Sequence, residues 1–339
     1  MPARARQRLG DAPRARVVEI QRSRLLAAAA GVVDERGYSR TTVAHITERA
    51  RVSRRTFYDL FDDREDCLLA VLEDAVGLVR REVLAAAGAA GPDWRGRVRA
   101  GLWAILSFLD REPVLARVCV VQTLRSGTRP LERREEVLAQ LARVLDEGRG
   151  ESARGGACPP LTAEGLVGAV STILYGRLSH GSREPLTGLF GELMEMIVLP
   201  YLGPAAARRE HARATPAAVS VRGMSGAEAG ILVGDGHGDR DPLAELPMRL
   251  TYRTARALEA VADSPGVSNR VIGEHAGISD QGQISRLLAR LRRLGLVANS
   301  GEGHSRGEAN AWTLTPTGRR VVRSICAHAE GLDEEEQGQ

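Results

Sequence analysis

Lysine is absent from the 339-residue chain, so all 47 basic side chains are arginine. The replacement is uniform along the chain. It marks the codon bias of a GC-rich genome, and the choice of arginine over lysine does not argue for phosphate-binding forks. Aromatic residues make up 4% against 43% hydrophobic residues overall, so the cores must be built mainly from Leu, Val, Ala and Ile. Four cysteines occur, Cys67, Cys119, Cys158 and Cys326, with no C-x-x-C pair among them. They read as buried or incidental thiols of a reducing compartment, with a redox-sensing thiol as the alternative.

No run of about 18 uninterrupted apolar residues appears, which argues against a membrane span. The arginine-rich N-terminus lacks the apolar stretch of a secretory signal, so a cytoplasmic location is the expectation. Catalytic signatures are missing as well. There is no Gly-rich phosphate loop, no G-x-S-x-G and no H-E-x-x-H, and the seven histidines are scattered. The expectation is therefore no enzyme, no catalytic residue and no cofactor. The run from Gly234 to Asp241 superficially resembles a calcium loop but has no bidentate glutamate where one is needed, so no metal is expected.

What the chain does have is charge sorted by position. Residues 1–69 hold 14 arginines against 10 acidic residues, and residues 249–323 hold 12 against 6. The region between them is close to neutral and the last 16 residues are acidic. Two basic ends flanking a neutral middle fit a polyanionic partner for both ends.

The periodicity predicts a chain that is almost entirely helical up to residue 202. Residues 1–16, with five arginines among small residues, read as a flexible basic arm. A helix follows from about Val17, and Gly37 ends it. Thr41 and Thr42 offer a cap for a helix from Val43 to Ala50, Ser53 for a short helix through Phe61, and Asp62 and Asp63 for a fourth. Prolines punctuate helices near 94–110, 113–127, 130–149, 161–180 and 185–200. Residues 203–247, rich in Ala, Gly, Pro and Arg, read as a flexible linker. From Leu250 the pattern is helix, helix, helix, strand, polar Gly-rich loop, strand, helix. That is the order of a winged helix.

The run Thr41-Thr42-Val43-Ala44-His45-Ile46-Thr47-Glu48-Arg49-Ala50-Arg51-Val52-Ser53-Arg54-Arg55-Thr56-Phe57-Tyr58-Asp59-Leu60-Phe61 resembles the helix-turn-helix of the TetR family. The likeness extends upstream through Glu35 to Tyr38 and downstream through Arg64 to Leu69. Val43, Ile46, Ala50, Val52, Phe57 and Phe61 recur as the buried side of such a unit. That leaves Arg54, Arg55, Thr56 and Tyr58 on the outer face of a short helix of a size that enters the major groove. Arg54 and Arg55 are the candidates for guanine edges. The resemblance assigns Thr42, Thr56 and Tyr58 to phosphates, and Arg64 stands where the family usually has a backbone-contacting lysine. Arg51 replaces the usual turn glycine, so a left-handed backbone there costs about 1 kcal/mol.

A second run, Ser268 to Ser279 continuing through Val297 and closing with Trp312-Thr313-Leu314-Thr315-Pro316-Thr317-Gly318, resembles MarR-like winged helices. Ser279 is the expected cap of its reading helix. The outward candidates are Ser279, Gln281, Gln283, Ser285, Arg286 and Arg290, with Arg306 in the wing.

These resemblances imply a mainly α chain. A TetR-like all-helical N-terminal part combines a helix-turn-helix over 17–69 with a helical effector-binding and dimerisation domain over 70–202. A small α+β winged-helix domain over 248–329 follows the linker, and 330–339 forms an acidic tail. Leu166, Val170, Ile173 and Leu174 are candidates for a homodimer interface or for core. Trp103, Phe108, Val121, Leu124 and Tyr175 are candidates for a pocket that takes a small hydrophobic effector. The implied function is a ligand-responsive repressor that binds a double-stranded DNA operator as a homodimer through two types of reading head. The alternatives are a winged helix that serves as a protein-interaction module and a ligand-free architectural protein that bridges DNA.

Overall fold

The computed structural model describes the backbone of residues 3–151, 158–181, 184–213, 215, 251–300 and 310–325, with side chains from residue 17 onward. The chain divides into two compact units. One comprises Leu26–Ile46 and Phe61–Gly223, the other Met1–Leu25, Thr47–Leu60 and Met224–Gln339.

Helix α1 runs Ala3–Arg36, so its backbone begins within the segment expected to be an irregular arm. The Ala, Arg, Gln and Leu residues there rank high in helix propensity. Gly37 ends the helix at φ 76°. Helix α2 (Val43–Ala50) starts where the Thr42 hydroxyl accepts from the His45 amide at 3.3 Å. Helix α3 (Arg54–Leu60) starts where Ser53 Oγ accepts from the Thr56 amide at 3.0 Å. Between them Arg51 adopts φ 54°, the one positive φ at a non-glycine among the described residues. The turn thus keeps its left-handed geometry without its usual glycine, at the strain the sequence predicts.

In the first unit, Asp63 caps α4 (Arg64–Ala89) by accepting from the amides of Glu65 and Asp66, and two acidic residues in that first turn complement the helix dipole. Helix α5 (Trp94–Arg111) lies against α4, and α6 (Pro113–Val120) packs on α8 (Thr162–Ser179). The segment expected as one helix over 113–127 ends earlier, at Val120, and continues as a 3₁₀ turn over Gln122–Arg125. Helix α7 (Thr128–Asp146) packs against both α4 and α8.

Helix α9 (Phe190–Ala212) carries the chain past the point where the linker was expected to begin. It is interrupted at Gly203 (φ 78°, ψ 175°), between Pro200 and Pro204. There the chain doubles back, so that His211 pairs with Glu195 at 2.9 Å. The stretch Leu186–Ala212 has the length and hydropathy to cross a membrane. The reversal at Gly203 and the buried Glu210 make it a core hairpin instead.

The winged helix lies in the second unit. Helices α10 (Tyr252–Asp263), α11 (Asn269–Ala276) and α12 (Gln281–Arg293) are followed by strands β1 (Val297–Asn299) and β2 (Trp312–Leu314). A last helix, α13, covers 316–325. The strands pair antiparallel with Val297 opposite Leu314 and Asn299 opposite Trp312, and Trp312 also bridges to Val267. Gly277 (φ 64°) turns the chain between α11 and α12. The cap of α12 is Asp280, whose carboxylate accepts from the Gln283 amide at 2.6 Å, and not Ser279 as the sequence suggested. Both residue types cap well, and a one-residue shift gives the helix an anion at its positive end.

The Thr-Pro-Thr-Gly run that closes the domain has a steric reason. Thr315 Oγ1 accepts from the Gly318 amide at 3.0 Å and caps α13. Gly318 itself lies so close to the Leu296 carbonyl that a Cβ there would overlap the oxygen. Gly318→Ala is therefore expected to destabilise the winged helix by about 1–3 kcal/mol, read as faster hydrogen exchange in α10 and α12 with α5 unaffected.

Candidate nucleic-acid interface

Helix α3 is fixed from one side only. Phe57 is fully buried and Val52 nearly so, while Arg54, Arg55, Tyr58 and Asp59 are exposed. Tyr58 is 59% exposed and its ring stands edge-on to Phe57, 5.4 Å between centroids. Two guanidinium groups in the first turn of a seven-residue helix thus face solvent beside a phenol. Thr42 is exposed at the start of α2, with its hydroxyl engaged in capping. Thr56 is half-buried and shares a 2.8 Å hydroxyl–hydroxyl hydrogen bond with Ser53.

Arg64, at the position where the resemblance implies a contact to the DNA backbone, is held by its own chain. It is half-buried, donates through Nη1 to the Thr41 carbonyl at 2.6 Å, and lies 4.5 Å over the Tyr38 ring. It fastens the loop that sets Thr42 at the head of α2, which makes it a positioning residue for the phosphate candidates.

In the winged helix, Ser279, Gln281, Gln283, Ser285, Arg286 and Arg290 are all exposed on or just before α12. Ile284, Leu288 and Leu291 hold the opposite face in the core. Arg292 and Arg293 are exposed as well, so the last turn of α12 carries three arginines where a helix C-terminus favours cations. Sequence reasoning missed these two, although their places off the three-and-four apolar pattern marked them as outward. Arg306 lies outside the described residues.

Sequence reasoning also missed the wing root. All three asparagines of the chain meet there. Asn269 Oδ1 accepts from the Trp312 indole at 2.5 Å and from Asn310 Nδ2 at 3.2 Å. Asn269 Nδ2 donates to Ser285 Oγ at 3.4 Å, and Asn299 Nδ2 donates to Asn310 Oδ1 at 2.8 Å. One polar network therefore ties the base of the wing to the outward face of α12. The only signal for it in the sequence is the rarity of asparagine.

The middle helices bring few of the pocket candidates together. Trp103 is half-buried and edge-on to Phe190 at 5.1 Å, and Phe108 is buried. Val121 and Tyr175 are half-buried, but Leu124 is 42% exposed, on the 3₁₀ turn that replaces the end of the expected helix. A cavity of about 330 Å³ is lined by Arg177, Glu184, Leu186 and Glu192, and none of the five candidates lines it. On α8, Leu166, Val170 and Ile173 are half-buried, whereas Leu174 is buried within the unit. Leu161 and Leu199 are exposed at 69% and 46%. Among the described residues no group of three metal-ligating side chains exists.

Burial pushes the Glu112 carboxyl up to about 7, with Arg111 opposing and Glu82 reinforcing the shift. The folded chain then holds a proton that the unfolded chain releases near 4.5, so stability falls as pH rises from about 4.5 to about 7 and is level above that. Glu112→Gln is expected to flatten this slope, measured as the difference in melting temperature between the two ends of that window.

Two helix-turn-helix elements with exposed arginine-bearing helices, one inside a winged helix, define a protein of the transcriptional-regulator class. The comparisons place both elements. Residues 25–71 match the model for bacterial regulatory proteins of the tetR family, and residues 250–307 match the MarR family. The chain thus carries a TetR-type helix-turn-helix at 25–71 and a MarR-like winged helix at 250–307, the element pair of DNA-binding regulators. It is 31% identical over 68 residues to the HTH-type transcriptional regulator HbdR of Aromatoleum sp. (strain CIB), a match that covers 20% of this chain and 30% of that protein.

Among solved structures it is similar to the fatty acid degradation regulator FadR from Bacillus halodurans, with 20% identity over 52% of this chain and 96% of that one and a TM-score of 0.47. It is also similar to FadR from Bacillus subtilis, solved with stearoyl-CoA, again at 20% identity over 52% and 96% of the two chains, with a TM-score of 0.45. The Stenotrophomonas maltophilia repressor SmeT matches at 22% identity over 53% of this chain and 89% of its own, with a TM-score of 0.45. The matched relatives are transcriptional regulators, which are not enzymes.

Proposed function

We propose that the chain is a cytoplasmic, ligand-responsive repressor that acts as a homodimer and reads a double-stranded DNA operator with two types of head. The observation that carries this reading is the exposure of arginines on two separate reading helices, Arg54 and Arg55 on α3 and Arg286 and Arg290 on α12, each backed by a buried apolar face. Arg54 and Arg55 suit guanine O6 and N7 in the major groove, Gln281 and Gln283 suit adenine, and Arg286 and Arg290 suit the flanking phosphates. Asp280, the one acidic residue at the head of α12, is turned to its own helix as the cap.

The apolar side chains left half-buried or exposed on and beside α8 and α9, Leu161, Val170, Ile173 and Leu199, support a second copy against those helices. Buried apolar side chains on α5 and α9, among them Leu102, Phe108, Leu193 and Ile197, support a small hydrophobic effector beside the buried Arg99–Glu210 pair of the same helices.

Selection of binding sequences from random duplex DNA by the full chain, followed by footprinting, tests the reading. One discrete protected site with two-fold related half-sites supports it. Uniform weak protection without sequence preference overturns it in favour of an architectural DNA-bridging protein.

A further inference from the structure

We propose that the N-terminal turns of α1 are a docking element for the winged-helix domain of the same chain. Val17 and Ile20, 3% and 2% exposed, lie in one hydrophobic cluster with Leu258, Ile272, Leu288 and Ile325. Those four residues come from α10, α11, α12 and α13. The cluster is thus the main hydrophobic core of the winged helix among the described residues, with two side chains supplied from more than 230 residues upstream. Their spacing of three puts Val17 and Ile20 on one face of α1, and Val18, one of the two residues between them, points elsewhere and is 40% exposed. This one-sided burial is what a helix shows when it is seated on a partner.

The composition of the unit agrees. It holds the first 25 residues, the α3 segment and the winged helix together. The turn of α1 that directly follows the basic arm therefore serves as the strap by which the second domain is held. Joined to the proposed DNA reading, the strap makes α3 and α12 parts of one composite reader, and the 203–247 segment need not set their spacing. The docking itself stands whether or not the winged helix reads DNA.

Hydrogen exchange on the full chain tests it. Val17→Asp/Ile20→Asp is expected to speed exchange in α10 and α12 by about 100-fold, with α5 unchanged, because that core loses two buried aliphatic side chains. Val18→Asp places the same charge on the exposed face and is expected to leave α10 and α12 as they are. Should the aspartate pair prevent folding, Val17→Ala/Ile20→Ala removes methyl groups without adding charge and is expected to give the same pattern at about tenfold. Unchanged exchange in α10 and α12 with either pair, or an equal effect from Val18→Asp, overturns the proposal. Faster exchange with DNA binding unchanged would uphold the docking and bear on the DNA reading alone.

Discussion

Glu210→Ala is expected to cost the helical unit about 3–5 kcal/mol, while Arg99→Met/Glu210→Leu stays within about 1–2 kcal/mol of the parent. The asymmetry follows from where the pair sits. Arg99 on α5 is 5% exposed and Glu210 on the returning part of α9 is 4% exposed, with Nη1 to Oε2 at 3.1 Å. Arg95 and Arg213 approach the other carboxylate oxygen at 3.7 and 3.6 Å. Removing Glu210 alone leaves a buried guanidinium among two others with their shared counter-charge gone, and burial already disfavours the charged form of Arg99. Removing both charges and filling the space with apolar side chains avoids that desolvation penalty. The contrast is read from hydrogen exchange of α5 amides in the single and double variants. A single variant that exchanges like the parent would mean the pair is solvated and contributes little.

The Arg99–Glu210 pair also shows what the sequence hides. Element types were legible where side-chain periodicity and caps act locally. Ser53, Asp63 and Gly277 do in the structure what their types predict, and the strand–loop–strand order near Trp312 is that of the observed ladder. The limit of α9 was not legible, because Pro200, Gly203 and Pro204 read as the end of order. Here a single residue at positive φ lets the chain reverse and pack again.

The Val17 and Ile20 contacts were not legible either. Two apolar residues at the edge of an arginine-rich segment carry no label for a partner so far along the chain. The outward placement of Arg54, Arg55, Gln281 and Arg286 was legible by comparison, since exposure follows directly from the apolar positions that must be buried. The partner of Arg64 was not legible: its charge is plain in the sequence, but the Thr41 carbonyl that accepts from Nη1 at 2.6 Å lies 23 residues upstream.

Pairwise removal of arginines from each head is expected to separate the two readers. Arg54→Ala/Arg55→Ala should lower affinity for the selected site by about 100-fold or more at fixed salt and relax base preference at the positions they face, because each bidentate guanine contact discriminates by about 1–3 kcal/mol. Arg286→Ala/Arg290→Ala should act differently. Both are exposed, Arg286 already donates through Nε to the Gly282 carbonyl at 3.1 Å, and Arg290 lies in the cationic last turn. Such a setting favours phosphate over base edges, so the slope of log affinity against log salt should fall by about one for each phosphate no longer neutralised, while base preference is largely kept. Filter binding across a salt series measures both quantities. A slope and a footprint unchanged by the second pair would free the outward face of α12 from DNA. The cationic surface of the MarR-like domain would then be a site for an acidic protein partner, and operator recognition would rest on α3 alone.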